Sequence, residues 1–206
     1  MKNTRILIAD DHAIVRMGLA SLLGTQDGLE VVGDAEDGEA AIAKALKHKP
    51  DVVIMDLMMP KKDGETATKE IHAALPDTKI VILTTFGTSD RIANALNAGA
   101  TGVLMKSAPT SQLVETIRAV ARGERVISED VERLMEEDPP AKALTPRQME
   151  ILNGLTRGLT NRDIAKALGI REDRVKGHVN AIFTKLDAAN RTEAVAIALR
   201  KLLLKN

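Results

Sequence analysis

Residues 1–122 alternate short runs of consecutive apolar residues with segments in which apolar positions recur at helical spacing. A run such as residues 52–55, apolar at every position, is typical of a parallel strand that is covered on both faces. Regular alternation of strands and helices with short loops predicts a doubly wound α/β fold with a five-stranded parallel sheet. The predicted strands lie near residues 5–9, 29–34, 51–55, 79–83 and 101–105, and the predicted helices near 12–23, 38–48, 64–74, 89–97 and 110–122.

The character of the chain changes after residue 122. Residues 128–138 are strongly acidic, and Pro139 and Pro140 follow directly. A short helix over 129–136 is compatible with this pattern, but two consecutive prolines cannot continue a helix. Residues 123–143 are therefore predicted to form a linker between two domains.

The remaining segment, residues 144–206, has helical periodicity throughout. Thr145, Thr160 and Asn190 each precede a helical pattern as N-cap residues, and Gly169 ends one of the helices. A helix, a turn and a second helix with basic polar positions predict a small all-α domain of the helix-turn-helix type. The pattern alone leaves an ordinary helical bundle that binds a protein partner as an alternative.

Composition limits the compartment and the chemistry of the chain. Its 206 residues include no cysteine, which excludes disulfides and thiolate metal sites. No apolar run approaches the length of a membrane span, and the first residues lack the apolar core of a signal peptide. We therefore expect a cytoplasmic protein with no membrane partner.

Charge is unevenly distributed, although the formal net charge is zero. Residues 143–206 carry 12 basic and 6 acidic side chains, whereas residues 1–142 carry 17 and 23. This asymmetry indicates two domains with different partners, and the basic excess favours nucleic acid as the partner of the second. A chance fluctuation among solvated side chains is the alternative.

Polar residues follow the predicted strands at their carboxyl ends. They are Asp10 and Asp11 after the first strand, Asp56 after the third, and Thr84 and Lys106 at the ends of the fourth and fifth. Asp56 alone could be an aspartate that merely ends a strand, but the carboxyl ends of parallel strands form the usual ligand site of such folds. Carboxylates gathered there repel one another unless a cation joins them, and oxygen ligands suit Mg²⁺. The same cation would neutralise the charge of a phosphoryl group transferred to Asp56.

These residues resemble a two-component receiver domain. The matching positions are Asp10-Asp11, Asp56, Met59-Pro60, Asp63-Gly64, Thr84, Ala98-Gly99-Ala100 and Lys106-Ser107, and the resemblance covers residues 1–122. It implies that Asp56 accepts a phosphoryl group from the phosphohistidine of a sensor histidine kinase. The implied Mg²⁺ ligands are Asp10, Asp11, Asp56 and the backbone carbonyl of Met58, and the implied contacts of the phosphoryl oxygens are Thr84 and Lys106.

A second resemblance covers residues 143–200. The segments Leu-Thr-Pro-Arg-Gln-Met-Glu-Ile-Leu at 144–152 and Gly-Leu-Thr-Asn-Arg-Asp-Ile-Ala at 158–165 are similar to the LuxR-type DNA-binding domain, as are residues 175–176, 178, 185–186 and 190–194. Together with the receiver, they resemble the NarL/FixJ family of response regulators. The family implies a bacterial transcription factor that works as a homodimer when phosphorylated.

The helix from about residue 172 to 186 is predicted to enter the major groove, with its apolar positions facing the core. Lys176, Gly177 and Asn180 then lie on the exposed side, in the half of the helix that meets base edges. Lys176 is predicted to donate to guanine and Asn180 to pair with adenine, while Gly177 permits close approach. The residues predicted to contact phosphates, and so to position the helix, are Arg162, Arg171 and Arg174.

The chain departs from the family pattern at several positions. Arg171 and Arg174 stand where the family usually has Ser and Thr at the start of the recognition helix, and losing a serine cap typically costs about 1 kcal/mol. Val103 stands where receivers usually have an aromatic switch residue. Met58 and Phe86 occupy the positions that help to admit the water that hydrolyses the phosphoryl group. Both are apolar and orient water poorly, so a long-lived phosphoryl group is predicted.

The predicted function is transcription regulation controlled by phosphorylation of an aspartate. A phosphoacceptor whose helical tail binds a protein, rather than DNA, is the alternative. A Mg²⁺-dependent phosphatase would need a separate general acid or base, for which Lys106 and Thr84 are poor candidates. We interpret His12 and His72 as surface or packing residues and expect no turnover enzyme.

Overall fold

A computed structural model describes residues 3–85, 88–142, 144–201 and 203 of the chain. The chain divides into two compact units, Met1–Asp138 and Pro139–Asn206. The first unit is an α/β domain, and the second is all-α over its described residues.

The first unit is built on one parallel sheet. Within the described residues its strands are β1 (Thr4–Ala9), β2 (Leu29–Ala35), β3 (Val52–Met55), β4 (Lys79–Thr84), β5 (Gly102–Met105) and β6 (Val126–Ile127). These strands follow the order β2-β1-β3-β4-β5-β6, with each neighbouring pair parallel, so the predicted doubly wound sheet is confirmed. The order reverses between β1 and β3, and the carboxyl ends of these two strands flank the switch point where such folds bind ligands.

Five helices connect the strands up to β6 along the described chain. They are α1 (Ala13–Gly24), α2 (Gly38–His48), α3 (Gly64–Ala74), α4 (Ser89–Asn97) and α5 (Thr110–Ala121). Asp37, Asp63 and Thr88 are the N-caps of α2, α3 and α4, and each side chain accepts a hydrogen bond from a backbone N–H of the first turn. Such a cap typically contributes about 1 kcal/mol. The predicted helices and first five strands agree with the structure to within one residue at each end.

Apolar side chains cover both faces of the sheet. Successive residues of a strand point to opposite faces, so a strand that is buried on both faces must be apolar at every position. In β3, Val53 and Met55 pack in the cluster that includes side chains of α2, α3 and α4. Val52 and Ile54 pack in a second cluster, with side chains of α1 and α5.

Residues 126–137, inside the predicted linker of residues 123–143, form regular structure instead. β6 pairs with β5, and helix α6 (Glu129–Glu137) follows it. Val131 of α6 is fully buried in the core of the first unit, and Leu134 and Met135 pack against the same cluster. The helix agrees with the short helix over 129–136 that the sequence allowed, because these apolar residues, at helical spacing, give an acidic segment a buried face. The extent of the linker stays a prediction. The predicted five-stranded sheet likewise gains a short sixth strand.

The second unit consists of short helices around one core. In the described residues they are α7 (Pro146–Thr156), α8 (Asn161–Leu168), α9 (Glu172–Leu186) and α10 (Arg191–Arg200). Thr145 and Thr160 form capping boxes with Gln148 and Asp163, and Gly169 ends α8 in the left-handed conformation at φ 63°. Helix α8, the turn at Gly169 and helix α9 form the predicted helix-turn-helix.

The apolar stripe of α9 faces this core, as its spacing predicted. Val175, Val179, Ile182 and Leu186 are buried in one cluster with apolar residues of α7, α8 and α10. The opposite side of α9 is left to solvent. Across the described part of the chain, every helix is too short or too polar to span a lipid bilayer.

Candidate functional site

The carboxyl ends of β1, β3 and β5 bring a lysine between two aspartates. The Nζ atom of Lys106, directly after β5, lies 2.6 Å from Oδ2 of Asp10 and 2.7 Å from Oδ2 of Asp56. The two carboxylates are buried, and the side chain of Lys106 is only 10% exposed. Two buried carboxylates that contact the same ammonium group would repel each other strongly without it, so Lys106 acts as their counter-charge.

Asp11 and His12 lie at the solvent side of this cluster. Nδ1 of His12 is 2.7 Å from Oδ1 of Asp11 and 3.2 Å from Oδ1 of Asp10. The imidazole is exposed, as interpreted from the sequence, but its contact with the carboxylates was missed. The sequence signal for this contact was that His12 directly follows Asp11. His72 is instead on α3, where its ring packs so closely on Gly99 that no Cβ would fit there.

The environment shifts the protonation equilibria of the central pair. Burial raises the pKa of the Asp56 carboxyl and the charge of Asp10 adds to this rise, whereas Lys106 opposes it. Burial alone would lower the pKa of Lys106, but hydrogen bonds to Asp10 and Asp56 outweigh burial and raise it. Lys106 is therefore a cation at neutral pH.

The acidic residues have the donor atoms and the spacing of a cation site. One carboxylate oxygen from each of Asp10, Asp11 and Asp56, with a ring nitrogen of His12, all lie within 4.8 Å of one another. Hard oxygen ligands with access for water are the donors that Mg²⁺ prefers. The residues present therefore fit a divalent cation.

Thr84 ends β4 with a buried hydroxyl group. Its backbone carbonyl accepts a hydrogen bond of 2.8 Å from the N–H of Lys106, which ties the ends of β4 and β5 together. Its Oγ1 atom has no hydrogen-bond partner within the described residues. A buried hydroxyl without a partner is costly, so its place beside Lys106 points to a ligand that pairs with it.

Met58 lies beside the carboxylate of Asp56. Its backbone N–H approaches Oδ1 of Asp56 at 3.4 Å, and its apolar side chain is 44% exposed. The second apolar position named from the sequence, Phe86, lies outside the described residues. The long lifetime of the phosphoryl group stays a prediction.

Val103 is a fully buried residue of β5. It packs in one cluster with Ile92 and Ala95 of α4 and Val131 of α6, and its carbonyl accepts a hydrogen bond from the N–H of Ser128. An aromatic ring at this position would overpack the cluster. The proposed switch role of residue 103 stays a prediction.

The exposed face of α9 carries the residues predicted to contact DNA. Arg174, Lys176, Gly177 and Asn180 are exposed there, and Arg162 is exposed on α8. A Cβ atom built on Gly177 would meet no atom within 4 Å, so this part of the helix surface is open. The arrangement leaves an exposed, polar helix face that has no side chain at Gly177.

Two of the predicted cations are paired with acids at the start of α9. Arg171 is the N-cap residue, makes no capping hydrogen bond with its side chain, and contacts Asp173 through its guanidinium group. Nζ of Lys176 lies 3.2 Å from Oε1 of Glu172. Exposed pairs of this kind are worth little, so both cations can exchange their partners for phosphate or base atoms.

Both units match known families. The first matches the response regulator receiver domain over residues 6–118, and the second matches the bacterial regulatory proteins of the luxR family over residues 142–198. The chain is 41% identical to the uncharacterized transcriptional regulatory protein YxjL of Bacillus subtilis, over 95% of each chain. It is 40% identical to the oxygen regulatory protein NreC of Staphylococcus haemolyticus, over 97% of this chain and 99% of NreC.

A solved structure extends the likeness to a nucleic-acid complex. The response regulator RcsB in complex with DNA is 28% identical, with a TM-score of 0.70 over 98% of this chain and 100% of RcsB. The relatives and family matches cover both units. The chain therefore belongs to the NarL/FixJ family of response regulators, which join a receiver domain to a LuxR-type helix-turn-helix domain.

Proposed function

We propose that this response regulator controls transcription through phosphorylation of Asp56 by a sensor histidine kinase. The observation that carries the proposal is the buried cluster at the carboxyl ends of the strands, where Asp56 and Asp10 share the ammonium of Lys106. The buried hydroxyl of Thr84, which lacks a partner among the described residues, supports the same site, because a phosphoryl oxygen would accept its hydrogen bond. Transfer of a phosphoryl group from acetyl phosphate to Asp56 is the experiment that tests the assignment.

In the proposed transfer, a carboxylate oxygen of Asp56 forms a bond to phosphorus while the bond from phosphorus to the kinase imidazole breaks. The electron pair of that bond stays on the imidazole nitrogen, and Asp56 becomes an acyl phosphate. Lys106, already 2.7 Å from Asp56, would pair with one phosphoryl oxygen, and Thr84 would donate to another. Mg²⁺ held by Asp10, Asp11, Asp56 and the carbonyl of Met58 would neutralise charge on the transferred group.

The proposed output is sequence-specific DNA binding by a homodimer in the cytoplasm. The RcsB complex supports DNA, rather than a protein, as the ligand of the second unit. We assign the receiver to residues 1–122, the connection to 123–143 and the DNA-binding domain to 144–206. In this proposal the chain acts as a phosphoacceptor rather than as a turnover enzyme.

Mg²⁺ is expected to stabilise the receiver against unfolding. A ligand that binds only the folded state stabilises it by about 2.7 kcal/mol at a concentration about 100 times its dissociation constant. Calorimetry with Mg²⁺ or with a chelator measures the shift, which should be confined to one of the two unfolding transitions. Asp11→Asn should remove most of the shift. Equal shifts in Asp11→Asn and the wild type would contradict the proposed ligand set.

Met58→Asn is expected to shorten the lifetime of the phosphoryl group. An amide beside Asp56 can hold the attacking water through a hydrogen bond worth about 1 kcal/mol, which corresponds to a roughly fivefold faster hydrolysis. The measurement is the decay of phosphorylated protein after the phosphodonor is removed. Met17→Asn, which changes another exposed methionine on α1, is the matched control. Equal decay in Met58→Asn and Met17→Asn would refute the role of Met58.

A further inference from the structure

The loop between β3 and α3, residues 56–63, contains a lysine in an unfavourable backbone conformation. Lys61 has φ 61°, in the left-handed region that side chains other than glycine rarely adopt. Residues held in such conformations persist where their surroundings over-determine them. The contacts of Lys61 therefore show what holds this loop.

The ammonium of Lys61 reaches across to Asp37, which precedes α2. Asp37 is 2% exposed and uses its two carboxylate oxygens for different contacts. Oδ1 accepts a hydrogen bond of 2.7 Å from the N–H of Ala40 and so caps α2, whereas Oδ2 accepts a hydrogen bond from Nζ of Lys61. Both contacts lower the pKa of Asp37, so the carboxylate is ionised at neutral pH.

A backbone contact next to this pair fixes the same two loops. The N–H of Gly38 donates a hydrogen bond of 3.1 Å to the carbonyl of Lys62. A Cβ atom on Gly38 would lie 2.3 Å from that carbonyl oxygen, so only glycine permits the approach. At the base of the loop, the N–H of Gly64 donates to the carbonyl of Leu57 at 3.1 Å. The loop that follows Asp56 is thus closed at its base and held at its far side by residues 37 and 38.

We propose that Asp37 and Lys61 are positioning residues that hold the loop of Met58 in place for the cation site. The inference rests on the proposed function, in which the carbonyl of Met58 is a ligand beside Asp10, Asp11 and Asp56. Neither residue belongs to the proposed ligand set. Partners of this outer kind typically change metal affinity by 10- to 100-fold when they are removed.

The direction in which removing the charge of Lys61 changes cation affinity separates a positioning role from a purely electrostatic one. Lys61 carries a positive charge in the loop that follows Asp56, so its removal should strengthen cation binding if the electric field alone matters. If Lys61 positions the loop, its removal should weaken cation binding instead. Lys62 offers a matched control, because its ammonium pairs with Glu70 of α3, at 2.9 Å, and not with Asp37.

The test is a titration of the full-length protein with Mn²⁺, in which electron paramagnetic resonance reports the free ion. Lys61→Met should bind Mn²⁺ about tenfold more weakly than the wild type. Lys62→Met should bind it equally well or slightly more tightly. Asp37→Asn, which keeps an oxygen for the cap of α2, should weaken binding to the same degree as Lys61→Met. The double variant should show no further loss, because both changes remove one contact.

Binding by Lys61→Met as tight as that by Lys62→Met would overturn the positioning role. If Asp11→Asn binds Mn²⁺ as tightly as the wild type does, the cation site itself is overturned, and with it the proposed function of the acidic residues. Far-UV circular dichroism checks that each variant is folded. If Lys61→Met does not fold, Lys61→Gly replaces it, because glycine adopts the same backbone conformation without strain. The expected result for Lys61→Gly is the same tenfold loss.

Discussion

Asp56→Asn is expected to eliminate phosphoryl transfer to this chain. Asparagine nearly preserves the shape of the side chain, but its amide is not the anionic nucleophile that the transfer requires. Lys106 keeps Asp10 as a partner in the variant, so the cluster retains an ion pair. The measurement is the intact mass of the protein after incubation with acetyl phosphate and Mg²⁺, and the expected difference is one phosphoryl group in the wild type and none in the variant.

Asp63→Asn is the control for this substitution. Asp63 follows Asp56 in the same loop and caps α3 through a hydrogen bond of 2.9 Å from the N–H of Thr66. Asparagine caps helices about as well as aspartate, so the control variant should fold and accept the phosphoryl group. A phosphoryl group on Asp56→Asn would show that Asp10, Asp11 or another residue is the acceptor.

Substitutions on the exposed face of α9 are expected to have the largest effects on DNA binding. Asn180→Ala should cost about 1–3 kcal/mol on the preferred site and relax the preference at one base position, since its amide is predicted to read a base. Arg174→Ala should weaken binding to all sequences alike and lower the salt dependence by about one unit, since a phosphate contact carries no sequence information. Binding isotherms at several salt concentrations, on preferred and scrambled duplexes, distinguish the two results.

Arg200→Ala, at the end of α10, is the charge-matched control for Arg174→Ala. It removes the same charge from a different helix and should change binding less. Folding is followed by circular dichroism, because the chain has no Trp or Tyr to serve as a fluorescent reporter. If Asn180→Ala and Arg174→Ala both bind duplexes as the wild type does, α9 does not read DNA through this face.

The sheet was predictable from sequence because its central strands contain runs of consecutive apolar residues, such as residues 52–55 of β3, which few other structures require. The same reasoning missed β6 and allowed α6 only as a possible short helix. Two residues are too few for a strand pattern, and the fully buried residue of α6, Val131, has the acidic neighbours Asp130 and Glu132 in sequence. Regular structure that depends on a few tertiary contacts leaves a weak signal in local sequence.

The candidate site was predictable in part for a related reason. The carboxyl ends of parallel strands lie at the same end of a sheet, so the residues that follow the predicted strands were enough to place the carboxylates together. The partners of these groups could not be predicted, because they depend on loop conformation. Lys106 bridges two aspartates rather than one, and Asp37 and Lys61 meet across 24 residues of sequence.

In the helix-turn-helix, too, the sequence predicted the buried positions but not the contacts between exposed side chains. Apolar spacing correctly predicted the buried stripe of α9, and with it the exposed side that carries Lys176 and Asn180. The contact of Lys176 with Glu172 was not predicted, although the four-residue spacing is the signal for such a pair on a helix. An exposed, flexible lysine chooses among its acidic partners by small differences in free energy, so local sequence does not predict the pair.

Sequencing the DNA fragments retained by the protein, with and without acetyl phosphate, tests most directly whether phosphorylation of Asp56 controls sequence-specific binding. The wild type and Asp56→Asn are compared at the same protein and salt concentrations. We predict that the phosphodonor increases the enrichment of one shared sequence for the wild type and leaves Asp56→Asn unchanged. Equal enrichment in both proteins, with or without the phosphodonor, would contradict the account.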